Sequence, residues 1–238
     1  MLKGPPLPND IRFSVIIPTF NRCHWLPNAI DSVFRQRYPA HEVIVVDDGS
    51  TDATADICHT CADRITYIRK DNGGKASALN AGLRRVTGDV VYVLDDDDLE
   101  LPSALRLHAQ ALTNQPQAGF SYGPLLPGYE TGDGRLYVDR SPRLATYAPD
   151  RFLLHQLTRN DVVHPCLAVR RECFDHVGGF NERYLRSQDF EFTLRLAQAY
   201  KGVRIPQPIF VQRQHTTTRG TGSVQFSSNA MAGVSGRF

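Results

Sequence analysis

Hydrophobic residues in the first hundred positions follow two alternating patterns. Short apolar runs rich in β-branched residues are typical of buried strands, and stretches between them place apolar residues at helical spacing. These patterns predict strands at 13–18, 42–46, 65–69 and 90–94, and helices at 24–37, 51–62 and 76–86. Strands that are apolar throughout and alternate with helices indicate an α/β fold with a mostly parallel sheet covered on both faces.

The second half of the chain has a less regular pattern. A Gly- and Pro-rich stretch at 125–150 predicts a loop or hairpin, and further elements are predicted as helices at 101–111, 152–157, 171–177 and 189–200 and strands at 166–170 and 209–213. We expect a tail at 1–12, one domain at 13–215 with halves at 13–100 and 101–215, and a mobile Ser/Thr/Gly-rich segment at 216–238. That ending is compatible with a truncated piece of a longer protein.

Composition narrows the class of protein. Hydrophobic residues make up 41% and charged residues 22% of the 238 positions, values typical of a soluble globular protein. The net charge of +2 gives no global field for nucleic acid. There is no apolar run long enough for a membrane span and no apolar core of a signal peptide near Met1. We therefore expect a cytoplasmic protein, able to lie against the inner face of a membrane.

The cysteines fit the same compartment. Their odd number, five, and loose spacing indicate reduced thiols. Cys58 and Cys61 form a C-x-x-C pair, but no second pair with zinc-like spacing follows, and the pair lies in a predicted helix rather than directly after a strand. A zinc or redox role is therefore not favoured.

Polar signatures follow three of the predicted strands at their carboxyl ends, where α/β sheets bind ligands. They are Thr19-Phe20-Asn21, Asp47-Asp48-Gly49-Ser50 and Asp95-Asp96-Asp97-Asp98. Four consecutive aspartates raise one another's pKa unless a cation compensates them, and a divalent ion with oxygen ligands is the simplest compensator. The alternative is a solvated acidic turn that caps the next helix.

Other segments carry weaker signals. Asp47 and Asp48 lie where the base or ribose of a ligand could be bound, although the segment also suits a helix N-cap. Gly73-Gly74-Lys75 before a helix indicates close backbone approach to an anion, or a plain glycine turn. Asp189 opens an amphipathic helix, either as a general base or as a favourable charge at a helix start.

Two histidines are further candidates. His215 follows a predicted strand near Arg213, and His164 precedes a proline in a segment that could line an acceptor site. A lone histidine is more often structural than a ligand, so local sequence alone does not decide either role.

Taken in order, the motifs resemble the family 2 glycosyltransferases, which have the GT-A fold. The resemblance covers roughly residues 13–215 and rests on five motifs. They are S-V-I-I-P-T-F-N-R from Ser14, V-V-D-D-G-S-T-D from Val45, N-G-G-K from Asn72 with Asn80-Ala81-Gly82, L-D-D-D-D from Leu94, and Gly178-Gly179-Phe180 with Gln188-Asp189. Each motif alone is weak, whereas five in the family's order are specific.

This resemblance implies an inverting glycosyltransferase that uses a nucleoside diphosphate sugar, with UDP favoured, and Mn²⁺ or Mg²⁺. The acceptor would be a hydroxyl of a glycan or a lipid-linked molecule. Asp189 would be the catalytic base, Asp97 and His215 would be near the metal, and His164 and Gln188 would lie on the acceptor side. Donor-binding residues would be Pro18, Thr19, Phe20, Asn21, Asp48, Gly74, Lys75, Asp95 and Asp96.

Within these implied roles, the register of the metal ligand in the aspartate run is open by one residue. The family usually has Glu-Asp where this chain has Gln188-Asp189, a departure that keeps the base but removes a neighbouring charge. Arg213-x-His215 is similar to a late motif that reaches back to the metal or diphosphate. Two other readings stay open: a sugar nucleotidyltransferase, and a non-catalytic module that binds glycans or a partner on the same fold.

Overall fold

The structure is a computed structural model that describes residues 11–131, 135–143, 151–159 and 163–214. In chain order its elements are β1 (Phe13–Thr19), α1 (Leu26–Phe34), β2 (Glu42–Asp47), α2 (Thr54–His59), β3 (Thr66–Arg69), α3 (Lys75–Leu83), β4 (Val90–Val93), β5 (Leu99–Glu100), α4 (Ala104–Asn114), β6 (Phe120–Tyr122), β7 (Leu125–Glu130), β8 (Leu136–Val138), α5 (Phe152–Arg159), β9 (Leu167–Arg170), α6 (Arg171–Val177), α7 (Gln188–Ala199), β10 (Gly202–Arg204) and β11 (Phe210–Gln214). A short 3-10 turn, His164–Cys166, leads into β9.

The described strands form a large sheet in the order β10-β6-β9-β4-β1-β2-β3. Strands β4, β1, β2 and β3 run parallel, and β10 runs parallel to β6. Strand β9 is antiparallel to both of its neighbours, β4 and β6. The prediction of a mostly parallel α/β sheet is confirmed.

Helices cover both faces of this sheet, because side chains of each central strand alternate between two hydrophobic clusters. On β1, Ile16 belongs to the cluster under α3, α6 and α7, whereas Val15 and Ile17 belong to the cluster under α1, α2 and α4. Both faces are therefore dry, which explains why β1 is buried at every position.

A second described sheet of four strands, in the order β5-β11-β7-β8, stands beside the end of β4. The antiparallel pairing of β7 with β8 confirms the hairpin predicted within 125–150. The short strands β5, β6 and β10 were not predicted; β5 has only two residues and pairs with β11 more than a hundred positions away. Within the described residues, no helix has the length and apolar character to span a bilayer.

Candidate active site

The candidate site lies at the carboxyl edge of the parallel strands. Thr19 ends β1 opposite Asp47, which ends β2, and the backbone N–H of Asp48 donates to the carbonyl of Thr19 (2.9 Å). Strand β4 pairs with the other side of β1, so the aspartates that follow it reach the same edge. The hydroxyl of Thr19 lies beside Asp96. The predicted convergence of the three polar signatures is therefore observed.

The end of β1 and the loop after it differ in what their side chains contact. Pro18 and Thr19 are buried and Phe20 is partly exposed. Asn21 adopts a left-handed backbone (φ 54°), and its side-chain oxygen accepts a hydrogen bond from the N–H of Thr51 (2.8 Å). The Asn21 side chain thus joins the loops after β1 and β2, whereas Thr19 and Phe20 line the edge itself.

The two aspartates after β2 have different surroundings. Asp47 is fully buried, accepts from the N–H of Ser50 (2.8 Å) and from the hydroxyl of Tyr67 (2.7 Å), and so fixes the turn. The expectation that Asp47 could contact a ligand is wrong, because both of its oxygens serve the fold and neither reaches the surface.

Asp48 organises the glycine loop before α3. Its carboxylate accepts hydrogen bonds from the N–H groups of Gly73 (3.0 Å) and Gly74 (2.7 Å) and from the ammonium of Lys70 (2.7 Å). Gly74 has a φ of 86°, a backbone conformation that L side chains rarely adopt. The loop therefore depends on glycine at this position, and it sets Lys75 at the first turn of α3.

Lys75 connects the two halves of the site. Its ammonium lies 2.5 Å from Oδ1 of Asp95. Burial by itself lowers the pKa of Lys75, but the negative charges of Asp95, Asp189 and Asp97 outweigh it and hold the pKa above its usual value. The charges of the acidic turn and of the predicted catalytic base therefore both act on one ammonium group.

The aspartates after β4 form a tight turn, in which the N–H of Asp98 donates to the carbonyl of Asp95 (3.1 Å). One carboxylate oxygen from each of Asp95, Asp97 and Asp98 lies within 4.8 Å of the others. Three such oxygens form a donor set for a hard divalent cation such as Mg²⁺ or Mn²⁺. The residues present therefore fit the divalent ion that the sequence predicted.

Burial and mutual repulsion perturb these carboxyl groups. Removal from water, together with the charge of Asp97, raises the pKa of Asp96 to about 7. Burial and the charges of Asp95 and Asp97 raise the pKa of Asp98 well above its usual value. This is the electrostatic cost that four consecutive aspartates imply, and a cation would relieve it.

Sequence reasoning left the part of Asp98 open and assigned no role to Arg22. Asp98 belongs to the carboxylate cluster, because positions one and four of the turn face each other. Arg22 lies with Nη1 3.2 Å from Oδ2 of Asp97. Its place at the end of the S-V-I-I-P-T-F-N-R motif was the available signal for Arg22.

Arg213 is fixed against the acidic turn from the second sheet. Its Nε donates to the carbonyl of Asp97 (2.9 Å), its Nη1 to Glu130 (2.6 Å), and its backbone N–H to Asp98 (2.9 Å). The predicted approach of the 213–215 segment to the acidic turn is thus seen for Arg213. His215 lies outside the described residues.

Asp189 lies in the first turn of α7 and is partly exposed. The preceding Ser187 has a left-handed backbone (φ 58°), which turns the chain into the helix. Gln188 is buried, and its Oε1 has no hydrogen-bond partner among the described residues. Asn80 of α3 holds the turn at 178–182 that leads toward this helix, through hydrogen bonds with both backbone groups of Phe180.

His164 is buried against Phe192 of α7, the helix that also carries Asp189. Its ring is buried against Phe180 and Phe192, with ring centroids 4.8 and 5.7 Å away, and neither ring nitrogen has a partner within the described part of the chain. Burial lowers the pKa of His164 to about 4, although the charge of Asp189 acts in the opposite direction. His164 is therefore a neutral imidazole on which the charge of the predicted base acts. Its place on the acceptor side stays a prediction.

Comparisons with known proteins agree with this geometry. A family model described as "Glycosyl transferase family 2" matches residues 14–178. An uncharacterized glycosyltransferase of Rickettsia felis is 41% identical over 223 residues, which make up 89% of this chain and 35% of that protein. One from Rickettsia typhi is 32% identical over 195 residues, or 79% of this chain and 60% of that protein. The chain thus spans between about a third and three fifths of these relatives.

Solved structures share the fold. TarS from S. aureus in complex with UDP-GlcNAc superposes with a TM-score of 0.70 at 19% identity, over 87% of this chain and 60% of that chain. The mannosyltransferase PcManGT from Pyrobaculum calidifontis, in complex with GDP-Man and Mn²⁺, gives a TM-score of 0.63 at 24% identity, over 88% of this chain and 59% of that chain. These similarities support the architecture.

Proposed function

Because the chain belongs to glycosyl transferase family 2, we propose that it is an inverting, divalent-metal-dependent enzyme that transfers a sugar from a nucleoside diphosphate, UDP by preference, to a hydroxyl of a glycan or lipid-linked acceptor. The observation that carries this proposal is the arrangement around Lys75, where the acidic turn and Asp189 act on one ammonium. A donor diphosphate at the turn would therefore place its sugar toward Asp189.

The donor side is assigned to the sheet edge. Thr19, Phe20 and the Asp48-bound glycine loop border the position for the nucleoside, and Lys75 lies between this loop and the acidic turn. Support for a nucleotide-sugar comes from the fold shared with structures that hold UDP-GlcNAc and GDP-Man. The preference for UDP follows from family resemblance.

Asp95, Asp97 and Asp98 would hold the divalent ion. When bound, such an ion supplies Lewis-acid stabilisation of the negative charge that grows on a departing diphosphate. Lys75 adds a fixed positive charge beside Asp95, and so assists the same charge development from the protein side.

Asp189 is assigned the proton transfer. Its carboxylate takes the proton of the acceptor hydroxyl as that oxygen attacks the anomeric carbon, and the bond from this carbon to the diphosphate oxygen breaks with its electron pair on the diphosphate. A single displacement of this kind inverts the anomeric configuration. The neutral His164 and the unpartnered Oε1 of Gln188 border this position, and we assign them to acceptor binding.

The test replaces Asp189 with Asn and compares it with Asp175→Asn, an exposed carboxylate on α6 that lies outside the site. Turnover is measured as donor hydrolysis or as transfer to a panel of glycan and lipid-linked acceptors. Asp189→Asn should lower kcat by about 10²–10⁴-fold, the usual contribution of a general base, with donor affinity nearly unchanged. Wild-type turnover in Asp189→Asn would refute the assignment.

A thermal-shift panel of UDP, GDP and dTDP, with and without Mn²⁺, identifies the donor nucleotide independently. A ligand that binds only the folded state raises the melting temperature, so the cognate diphosphate should give the largest shift and should need the ion. Stabilisation by none of the three in the presence of Mn²⁺ would contradict the proposal.

A further inference from the structure

We propose that Arg22 is a ligand of the donor diphosphate that pairs with Asp97 until ion and donor arrive together, so that ion binding and nucleotide binding are coupled through this side chain. The inference rests on the proposed function. It adds a binding residue that neither the motifs nor the family match assigns, and a reason why the two ligands should depend on each other.

Two cations of the chain already lie on the carboxylates that would hold the ion. Arg22 lies 3.2 Å from Asp97, and their side chains are 18% and 16% exposed, respectively. Lys75 lies 2.5 Å from Asp95, and their side chains are 33% and 26% exposed, respectively. The two pairs neutralise opposite ends of one turn. Both pairs are shielded from bulk water, so screening by salt weakens them less than it weakens surface pairs.

A divalent ion on the same turn would meet these positive charges at close range. Like charges repel strongly in a partly buried site, so an ion that binds alone must work against Arg22 and Lys75. A diphosphate changes the balance, because its oxygens accept hydrogen bonds from a guanidinium while others coordinate the ion. Ion and diphosphate should therefore each strengthen the binding of the other, by the same factor.

Among the arginines at the turn, Arg22 has the freedom for this exchange. Its guanidinium forms an ion pair with Asp97 and lies 4.7 Å from the ring centroid of Trp25. That ring gives a flat surface over which a guanidinium can slide while it keeps a favourable contact. Arg213, in contrast, is 6% exposed and fixed by the carbonyl of Asp97 and by Glu130.

The test measures Mn²⁺ binding directly, by electron paramagnetic resonance of the free ion, with no nucleotide and then with UDP or GDP. In the wild type, the cognate diphosphate should tighten Mn²⁺ binding by about 5- to 150-fold, the usual range of coupling between sites. Arg22→Gln should bind Mn²⁺ alone at least about fivefold more tightly than the wild type, and its coupling should fall by at least about fivefold.

Two further variants make the result specific. Arg35→Gln removes the same formal charge from an exposed pair with Asp31, whose side chains are 76% and 54% exposed, and should leave both titrations unchanged. Arg22→Lys keeps the charge but loses the planar fork, so it should bind Mn²⁺ alone as weakly as the wild type while its coupling is reduced. Circular dichroism checks that each variant is folded.

The outcomes separate this inference from the proposed function. A wild type with strong coupling and an Arg22→Gln variant with the same two affinities would overturn the role of Arg22 and leave the proposed function intact. A wild type that binds neither Mn²⁺ nor any of the nucleotides would overturn both. Weaker Mn²⁺ binding by Arg22→Gln without nucleotide would also refute the competition between Arg22 and the ion.

Discussion

The side chain of Asn80 joins α3 to the turn at 178–182, which precedes the helix that carries Asp189. From its place on α3, its Nδ2 donates to the carbonyl of Phe180 (2.8 Å) and to Glu182 (2.8 Å), and its Oδ1 accepts from the N–H of Phe180 (2.8 Å). Phe180 is 4% exposed, so its backbone groups have little water to replace these bonds. We therefore expect Asn80→Ala to loosen the turn at 178–182.

The magnitude follows from the bonds that are lost. Two hydrogen bonds to backbone groups of a buried residue contribute about 1 kcal/mol each, and the third bond, to the exposed Glu182, adds less. Asn80→Ala should lower the free energy of unfolding by about 2–3 kcal/mol. Asn80→Asp should cost at least as much, because a second carboxylate oxygen then faces the carbonyl of Phe180 and the carboxylate of Glu182.

Urea titration measures this free energy, and Asn28→Ala, at an exposed position of α1, is the matched control. If Asp189 is the base, we also expect a fall in kcat with little change in donor affinity, since the turn precedes the helix that carries Asp189. If Asn80→Ala stays within about 0.5 kcal/mol of the wild type, or if Asn80→Asp is as stable as the wild type, the structural role of Asn80 is refuted.

Two further predictions concern the interior. Gly82→Ala on α3 should lower the free energy of unfolding by about 1–3 kcal/mol, because the added Cβ would lie 2.7 Å from Cγ2 of the fully buried Ile16. This clash outweighs the better helix propensity of alanine. An unchanged or higher melting temperature would contradict the prediction. Burial lowers the pKa of His108 to about 3. Between pH 6.5 and 3 this histidine is therefore protonated in the unfolded chain and neutral in the native state. The wild type should thus lose stability relative to His108→Asn as pH falls from 6.5 toward 3, by about 1.4 kcal/mol per pH unit, and parallel stability curves would refute the assignment.

Much of the large sheet could be predicted because the signal is local. The runs at 13–18, 42–46 and 90–94 are apolar at nearly every position, and that continuity is the direct consequence of a sheet covered on both faces. In the second sheet, the sequence predicted β11 and the hairpin of β7 and β8, but not β5. Strand β5 exists because β11 pairs with it, and a two-residue strand has no periodicity to detect.

In the candidate site, too, some features could be predicted from the sequence and others could not. Positions at strand ends were predictable, because topology alone brings the ends of parallel strands to one edge. The roles of individual aspartates were not. Asp47 and Asp48 are equivalent in sequence, yet Asp47 is buried and bonded to Tyr67, whereas Asp48 binds the backbone of the glycine loop. Only the three-dimensional turn shows that the carboxylate of Asp98 lies close to those of Asp95 and Asp97. Contacts across long sequence distances, such as that of Arg22 with Asp97, need the fold itself.

The single reversed strand of the large sheet, β9, has a consequence for how such a protein can diversify. Strand β6 ends at the carboxyl edge of the parallel strands, and β9, which runs the opposite way beside it, begins there, with Tyr122 opposite Leu167. The stretch between them therefore departs from and returns to one rim of the sheet. Because both ends of this stretch meet at that rim, its loops can change in length during evolution without shifting the register of β1, β2 or β4, whose pairing does not depend on it.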